Sequence, residues 1–270
     1  MLTFIFWNLG RRPLEGLVAE LAAERDADIV LLSECKVLSH VLLRTLNLHS
    51  KSPYSFAFSP ADAIKVFTRF PSDWLKPIED TGGLSIRHLA HPLYSDILVV
   101  GAHLSSKLFR TADDQLLESV RMARRIEEAE QRVGHRRTVL VGDLNMNPFE
   151  AGVAAADGFH GVMDRTVAQR ESRIVGGQTR RFFYNPMWSR FGDESLRPPG
   201  SYYYGSSGQI TYYWNLFDQV LLRPALMKAF KNSEMEVISR VGATTLLTDN
   251  GLPSRSAGSD HLPLVFTLHL

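Results

Sequence analysis

Apolar positions fall in short blocks along the chain, and the blocks predict a strand-rich fold. Ten runs read as strands: Leu2–Trp7, Ile29–Leu32, Ala63–Thr68, Leu84–Leu89, Ile97–Ala102, Thr138–Val141, Arg181–Tyr184, Ser201–Tyr204, Phe217–Leu222 and Leu264–Leu268. Each is centred on apolar or aromatic residues and closed by polar or turn residues. Two stretches repeat apolar residues at helical spacing instead. Leu14, Leu17, Val18, Leu21 and Ala22 predict a helix over Leu14–Arg25, and Leu116, Leu117, Val120, Ala123, Ile126 and Ala129 predict one over Ala112–Val133. Asp113 and Asp114 suit the first turn of the second helix, and the arginines from Arg121 onward are expected to form its solvated face. Many strands, few helices, no Gly/Ser/Pro linker and no internal repeat point to one α+β domain of packed sheets over residues 1–270. The longest stretch without regular patterning, Asp157–Gly200, is expected to be a functional loop.

Composition narrows the classes. Lys+Arg 30 against Asp+Glu 29 excludes an acidic tail protein and a histone-like polycation, but leaves room for a local basic stripe. The single cysteine, Cys35, excludes a disulfide framework and Cys-rich metal centres, and is expected to be buried as a small apolar residue. Met1–Trp7 is apolar but short, without a positive n-region, and Asn8-Leu9-Gly10-Arg11-Arg12-Pro13 ends it. It fits a first buried strand better than a signal peptide. No run approaches the roughly 18 apolar residues of a membrane helix. A cytoplasmic protein without a membrane anchor is expected.

The chemistry sits where the strands end. Phe6-Trp7-Asn8, Leu32-Ser33-Glu34, Gly101-Ala102-His103 and Val141-Gly142-Asp143-Leu144-Asn145 each close an apolar run with polar groups. Asp218 and the pair Asp260-His261 lie near the C-terminus. Taken singly, Asn8 reads as a turn residue, Glu34 as a surface acid, Gly142–Asn145 as a turn and Asp260-His261 as a helix cap. Taken together they converge at one sheet rim, and that donor set suits a hard cation, Mg²⁺ or Mn²⁺. Without clustered Cys or a helical His-x-x-x-His pair, zinc fits less well.

Trp7-Asn8, Glu34, His103, Gly142-Asp143-Leu144-Asn145, Asp218 and Ser259-Asp260-His261 resemble, in order, the motifs of the endonuclease/exonuclease/phosphatase superfamily. That group includes DNase I-like nucleases, AP endonucleases, neutral sphingomyelinases and inositol polyphosphate 5-phosphatases. The resemblance implies a DNase I-like four-layer α/β sandwich, two mostly antiparallel sheets flanked by helices, with the site at one edge. It implies Glu34 as the main metal ligand with Asn8 beside it, and Asp260 completing the metal side. It implies Asp143 orienting or deprotonating water, Asn145 holding water or phosphate, and His261 on the scissile phosphate with its ring fixed by Asp218. His103 is implied as a donor to phosphate or leaving group. The sequence departs from the AP-endonuclease pattern at Gly10, where an acid is usual, and at His103, where those enzymes carry Tyr. Ser33 stands where many members have Gln. An abasic-site repair enzyme is therefore disfavoured.

Between Arg165 and Gly200 stand seven arginines (165, 170, 173, 180, 181, 190, 197) against Glu171, Asp193 and Glu194. Aromatics crowd the same region and beyond it: Phe182-Phe183-Tyr184, Trp188, Phe191, Tyr202-Tyr203-Tyr204 and Tyr212-Tyr213-Trp214. Arginine for phosphate and rings for stacking match single-stranded nucleic acid, although rings also serve plain packing. Arg181, Trp214 and Asn185 are the expected substrate contacts. The leading expectation is a metal-dependent nuclease with a nucleic-acid substrate. The alternatives are a phosphoesterase on a small-molecule or lipid-headgroup phosphate, and a non-catalytic module that keeps the fold.

Overall fold

In the computed structural model, which describes residues 1–61, 63–192 and 198–270, the strands gather mainly into two sheets. The first has six strands in the order Phe230–Val237, Leu264–Leu268, Leu2–Asn8, Ile29–Ser33, Ile64–Thr68 and Ser55–Ala57. The second has seven: Leu75–Thr81, Leu84–Leu89, Ile97–His103, Thr138–Asp143, Asp218–Leu222, Phe183–Tyr184 and Gly161–Val162. Most neighbours are antiparallel. Leu2–Asn8 beside Ile29–Ser33, Ile97–His103 beside Thr138–Asp143, and Phe183–Tyr184 beside Gly161–Val162 are parallel.

Strand alternation sorts the side chains into layers. Val99, Val139, Val141 and Val220 join Phe6, Leu31 and Val66 in the core that includes both sheets. Their neighbours Val100, Leu140 and Leu221 point the other way, against Met122 and Ile126 of the helix Ala112–Val133. Helices Glu15–Glu24 and Ser39–His49 close the first sheet through Val18, Leu21, Leu42 and Leu46. The layers run helix, sheet, sheet, helix, as expected. The helix Ala112–Val133 starts in a Thr111–Asp114 capping box and stops at Gly134, whose φ of 75° is left-handed. Cys35 is buried. Among the described residues no helix is long and apolar enough to cross a membrane.

Besides the helix Ser39–His49 and the strand Ser55–Ala57, which the apolar pattern does not predict, three features differ from the sequence expectation. The central strands run past their last apolar residue, so Asn8, Ser33, His103 and Asp143 are themselves strand residues. The apolar pattern does not reveal the edge strands Leu75–Thr81 and Phe230–Val237 because each turns polar residues to solvent and carries a register shift, and the first also contains Pro77. Finally, Asp157–Gly200 is not one loop. It holds the helix Arg165–Ala168, a hairpin of Ser172–Val175 and Gln178–Arg181, the strands Gly161–Val162 and Phe183–Tyr184, and the 3-10 turn Pro186–Arg190. Phe182 separates the two strands that the run Arg181–Tyr184 had merged. Asp193, Glu194 and Arg197 lie outside the described residues.

Gly142 shows why its motif begins with glycine. A Cβ there would lie 1.9 Å from the Ala102 carbonyl oxygen of the neighbouring parallel strand. The residue permits strand closure rather than a turn. Gly142→Ala is expected to cost about 3 kcal/mol, seen as a lower urea midpoint; a wild-type midpoint would overturn this account.

Candidate active site

Chain direction decides which polar residues meet. Parallel pairing sets Asn8 beside Ser33 and His103 beside Asp143. Antiparallel pairing puts Asp218, the first residue of its strand, opposite Asp143. Leu264 pairs with Phe6, which brings Ser259-Asp260-His261 to the same rim, and Trp7 Nε1 anchors it by donating to the His261 carbonyl at 2.9 Å. The residues that sequence scattered from Asn8 to His261 thus share one end of the two sheets.

Asp143 is 1% exposed and held at both oxygens. Asn8 Nδ2 donates to Oδ2 at 2.8 Å, and the Asn145 backbone N–H donates to Oδ1 at 2.9 Å. The second bond is an Asx turn, with Asn145 at a left-handed φ of 50°. Asn145 Nδ2 donates to the Leu104 carbonyl at 2.8 Å, and Gln115 Nε2 donates to the Asn145 carbonyl at 3.1 Å. These bonds tie the loop to the strand Ile97–His103 and the long helix.

Two imidazoles face the same carboxylate oxygen. His261 Nε2 stands 3.8 Å and His103 Nε2 3.9 Å from Asp143 Oδ2. His261 Nδ1 meets Asp218 Oδ2 at 2.8 Å. Burial resists charge on His261, yet Asp218 and Asp143 together outweigh it and raise its pKa to about 10. The ring is therefore an imidazolium at neutral pH, with Nδ1–H donating to Asp218. Burial likewise pushes the Asp143 carboxyl up, and the His261 charge draws it back part of the way.

Glu34 reaches the pocket from a left-handed residue, φ 46°. Its Oε1 is 3.6 Å from His103 Nε2 and its Oε2 is 3.3 Å from Arg11 Nε. Asp260 takes the space that the missing Gly10 side chain leaves: a Cβ on Gly10 would lie 2.7 Å from Asp260 Oδ1. Arg255 Nη2 is 3.4 Å from Asp260 Oδ2. Among the described residues, Asp143, Asp218 and His261 offer potential metal-ligand atoms all within 4.8 Å of one another. The His261 proton already occupies the space between the Asp218 carboxylate and the ring. Glu34, Asp143, Asp260 and Asn145 also line a cavity of about 410 Å³, and this oxygen-rich wall is open to a cation.

The same cavity is also lined by aromatic and apolar side chains. Tyr202 lies 4.6 Å from the His261 ring, centroid to centroid, and stacks on Phe217 at 5.3 Å. Tyr204, Tyr212, Phe109, Leu108 and Ile210 complete the lip, with Lys107 and Arg255 supplying cations. The tyrosines were legible as an aromatic run. Lys107, Leu108, Phe109 and Arg255 carried no such signal.

The structure places the three expected substrate contacts elsewhere, which corrects that expectation. Asn185 is fully buried, caps the 3-10 turn through the Met187 N–H, and donates to Gln219 Oε1 at 2.8 Å. Trp214 packs against the core and edge-on to Tyr203. Arg181 lines a different cavity, with Arg136 and Arg223. Three other arginines of that region are committed to the fold: Arg165 to the carbonyls of Met227 and Phe230, Arg190 to those of Asn232 and Met235, and Arg180 to Asp157.

The sequence profile of the Endonuclease/Exonuclease/phosphatase family matches residues 5–261. The chain belongs to this family. No curated protein sequence matches this family member. Solved structures of the same fold include an endonuclease/exonuclease/phosphatase family protein from Leptotrichia buccalis, 14% identical, with a TM-score of 0.60 over 100% of both chains. The endonuclease domain of TRAS1, a telomere-specific non-LTR retrotransposon, is 15% identical with a TM-score of 0.55, over 100% of this chain and 99% of that one. The D. rerio TDP2 complexed with single strand DNA product is 18% identical with a TM-score of 0.52, over 98% of each chain. At such identities the likeness is one of fold.

Proposed function

We propose that residues 1–270 form one catalytic domain, a divalent-metal-dependent nuclease that hydrolyses phosphodiester bonds by in-line attack of water. Asp143 carries this reading: a buried carboxylate, fixed at both oxygens, with an imidazolium and a second imidazole facing one of them. Its raised pKa suits a general base, and its fixed oxygens suit aiming a water. His261, locked by Asp218, presents positive charge to the phosphoryl oxygens without reorganising. His103 stands between Glu34 and Asp143 and donates to a phosphate or leaving oxygen. Asn145 lines the same cavity, and with its Nδ2 engaged by Leu104 it has its amide oxygen left to accept from a water there. Glu34, Asn8 and Asp260 fit Mg²⁺ or Mn²⁺, since all are oxygen donors and Glu34 has no partner closer than Arg11 at 3.3 Å. Bound there, the ion supplies Lewis-acid stabilisation of phosphoryl charge.

The aromatic wall supports a nucleic-acid substrate. Exposed rings beside a phosphate site are what unpaired bases stack on, and the TDP2 relative was solved with single strand DNA product. Purified protein with Mg²⁺ or Mn²⁺ is expected to cut single-stranded oligonucleotides, and chelation to stop it. Phe109→Ala combined with Tyr212→Ala is expected to raise KM for such a strand about tenfold, because each stacked base contributes ~1–3 kcal/mol. The effect on bis(p-nitrophenyl) phosphate should be much smaller. A second reading rests on Leu108 and Ile210, 74% and 78% exposed at the lip, which suit an apolar group on a small-molecule or lipid-headgroup phosphoester. Hydrolysis of a phosphatidylinositol or sphingomyelin panel, with DNA and RNA left intact, would replace the nuclease by that enzyme.

A further inference from the structure

Arg181 stands at the far end of the second sheet from Asp143. Leu222 pairs with Val139 there, so the strand Thr138–Asp143 separates that end from the catalytic rim by about 17 Å. At that end Arg136, Arg181 and Arg223 line a cavity of about 210 Å³ together with Ser172 and a single acid, Glu171.

Arg223 is built into the fold. It is 3% exposed; Nε donates to Glu130 Oε1 at 2.8 Å, Nη1 donates to the Phe182 carbonyl at 3.1 Å, and the guanidinium lies 3.9 Å over the Phe183 ring. Glu127 is 3.9 Å from Nη2, beyond hydrogen-bond reach, so that nitrogen keeps its donors. Glu130 and the more distant Glu127 offset the Arg223 charge, so the excess positive charge at the cavity comes from Arg136 and Arg181. Arg181 is positioned through its backbone. Arg173 Nε donates to His160 Nε2 at 3.0 Å, so the His160 proton sits on Nδ1 and is donated to the Arg181 carbonyl at 3.2 Å. Burial, reinforced by Arg173, pushes His160 down to about 4, and the ring adds no charge. Among the described residues, neither Arg136 nor Arg181 forms an ion pair, with Glu171 or any other acid.

Three guanidiniums around one small cavity, with one unpaired acid, leave an excess of directed donors. Planar forks of this kind match the oxygens of a phosphate, and an anion relieves their mutual repulsion. We propose that this cavity is a second, non-catalytic site for a phosphate group, carried either by free phosphate or by a nucleic-acid backbone.

Inorganic phosphate, titrated at constant ionic strength against chloride, is expected to raise Tm by several degrees. That gain should persist in His261→Ala and be mostly lost in Arg136→Gln/Arg181→Gln. Glu171→Gln removes the opposing charge at an exposed position and is expected to tighten phosphate binding about threefold by calorimetry. An equal Tm gain in the double arginine variant, or unchanged or weaker binding in Glu171→Gln, would overturn the site. Anisotropy of a labelled oligothymidylate on Asp143→Asn protein separates the sources. About tenfold weaker binding on adding the arginine changes assigns a backbone phosphate, and unchanged binding with the phosphate effect intact assigns free phosphate.

Discussion

Asp143→Asn is expected to lower turnover on bis(p-nitrophenyl) phosphate by ~10³-fold or more, since it removes both the proposed base and a charge that favours the His261 imidazolium. The change is nearly isosteric, so the pocket keeps its shape. Both carboxylate oxygens accept hydrogen bonds, from Asn8 Nδ2 and the Asn145 N–H, and an amide in either orientation turns a donor on one of these donors. That lost bond costs about 1–3 kcal/mol. Against it stands the burial penalty that raises the native carboxyl pKa, which the neutral amide escapes. The two oppose each other, and the urea midpoint should move far less than the rate. A variant rate within tenfold of wild type would remove Asp143 from the mechanism.

Replacing His261 with Ala is expected to cost about 10²–10³-fold in turnover, and its pH signature tests the cause. An unfolded histidine titrates near 6.5, whereas His261 in the fold is raised to about 10. The folded chain holds an extra proton between those values. Its contribution to stability is complete below pH about 6.5 and declines as pH rises through 10, by at most ~1.4 kcal/mol per unit. Activity that depends on the imidazolium should therefore persist through neutrality and fall near pH 10. In Asp218→Asn the largest opposing charge is gone, and both the falling limb and the stability loss should move to lower pH. A profile unchanged by Asp218→Asn would show that the pair does not set the proton affinity.

The ring of polar residues was readable because each member follows an apolar run that only a buried strand explains. Asn8, Glu34, His103 and Asp143 needed only the strand directions to meet, and the direction of Asp218–Leu222 added Asp218. Asn185, Arg165 and Arg190 defeated the same reasoning for a physical reason, whereas Arg181 was lost to the far end of the sheet. A buried asparagine caps a turn with the same side chain that would bind phosphate, and arginine secures backbone carbonyls with the same fork. Local composition cannot separate these uses. The Lys107–Phe109 lip was illegible for another reason: exposed apolar residues in a loop have no periodicity. The Arg223–Glu130 pair joins residues 93 positions apart, and only tertiary packing brings them together.

The strand that carries Asp143 is flanked on both sides, by Ile97–His103 and by Asp218–Leu222, and Gly142 lets the first of these approach closely. Amide exchange along Thr138–Asp143 should therefore require opening of the whole sheet. Phe109, Ile210 and Tyr212 lie outside any large-sheet strand, where replacement disturbs little of the core. The proposed reacting groups thus sit on a central strand and the proposed substrate lip on loops outside the large sheets. A lineage built on this plan can exchange its lips repeatedly while the reacting groups stay where they are.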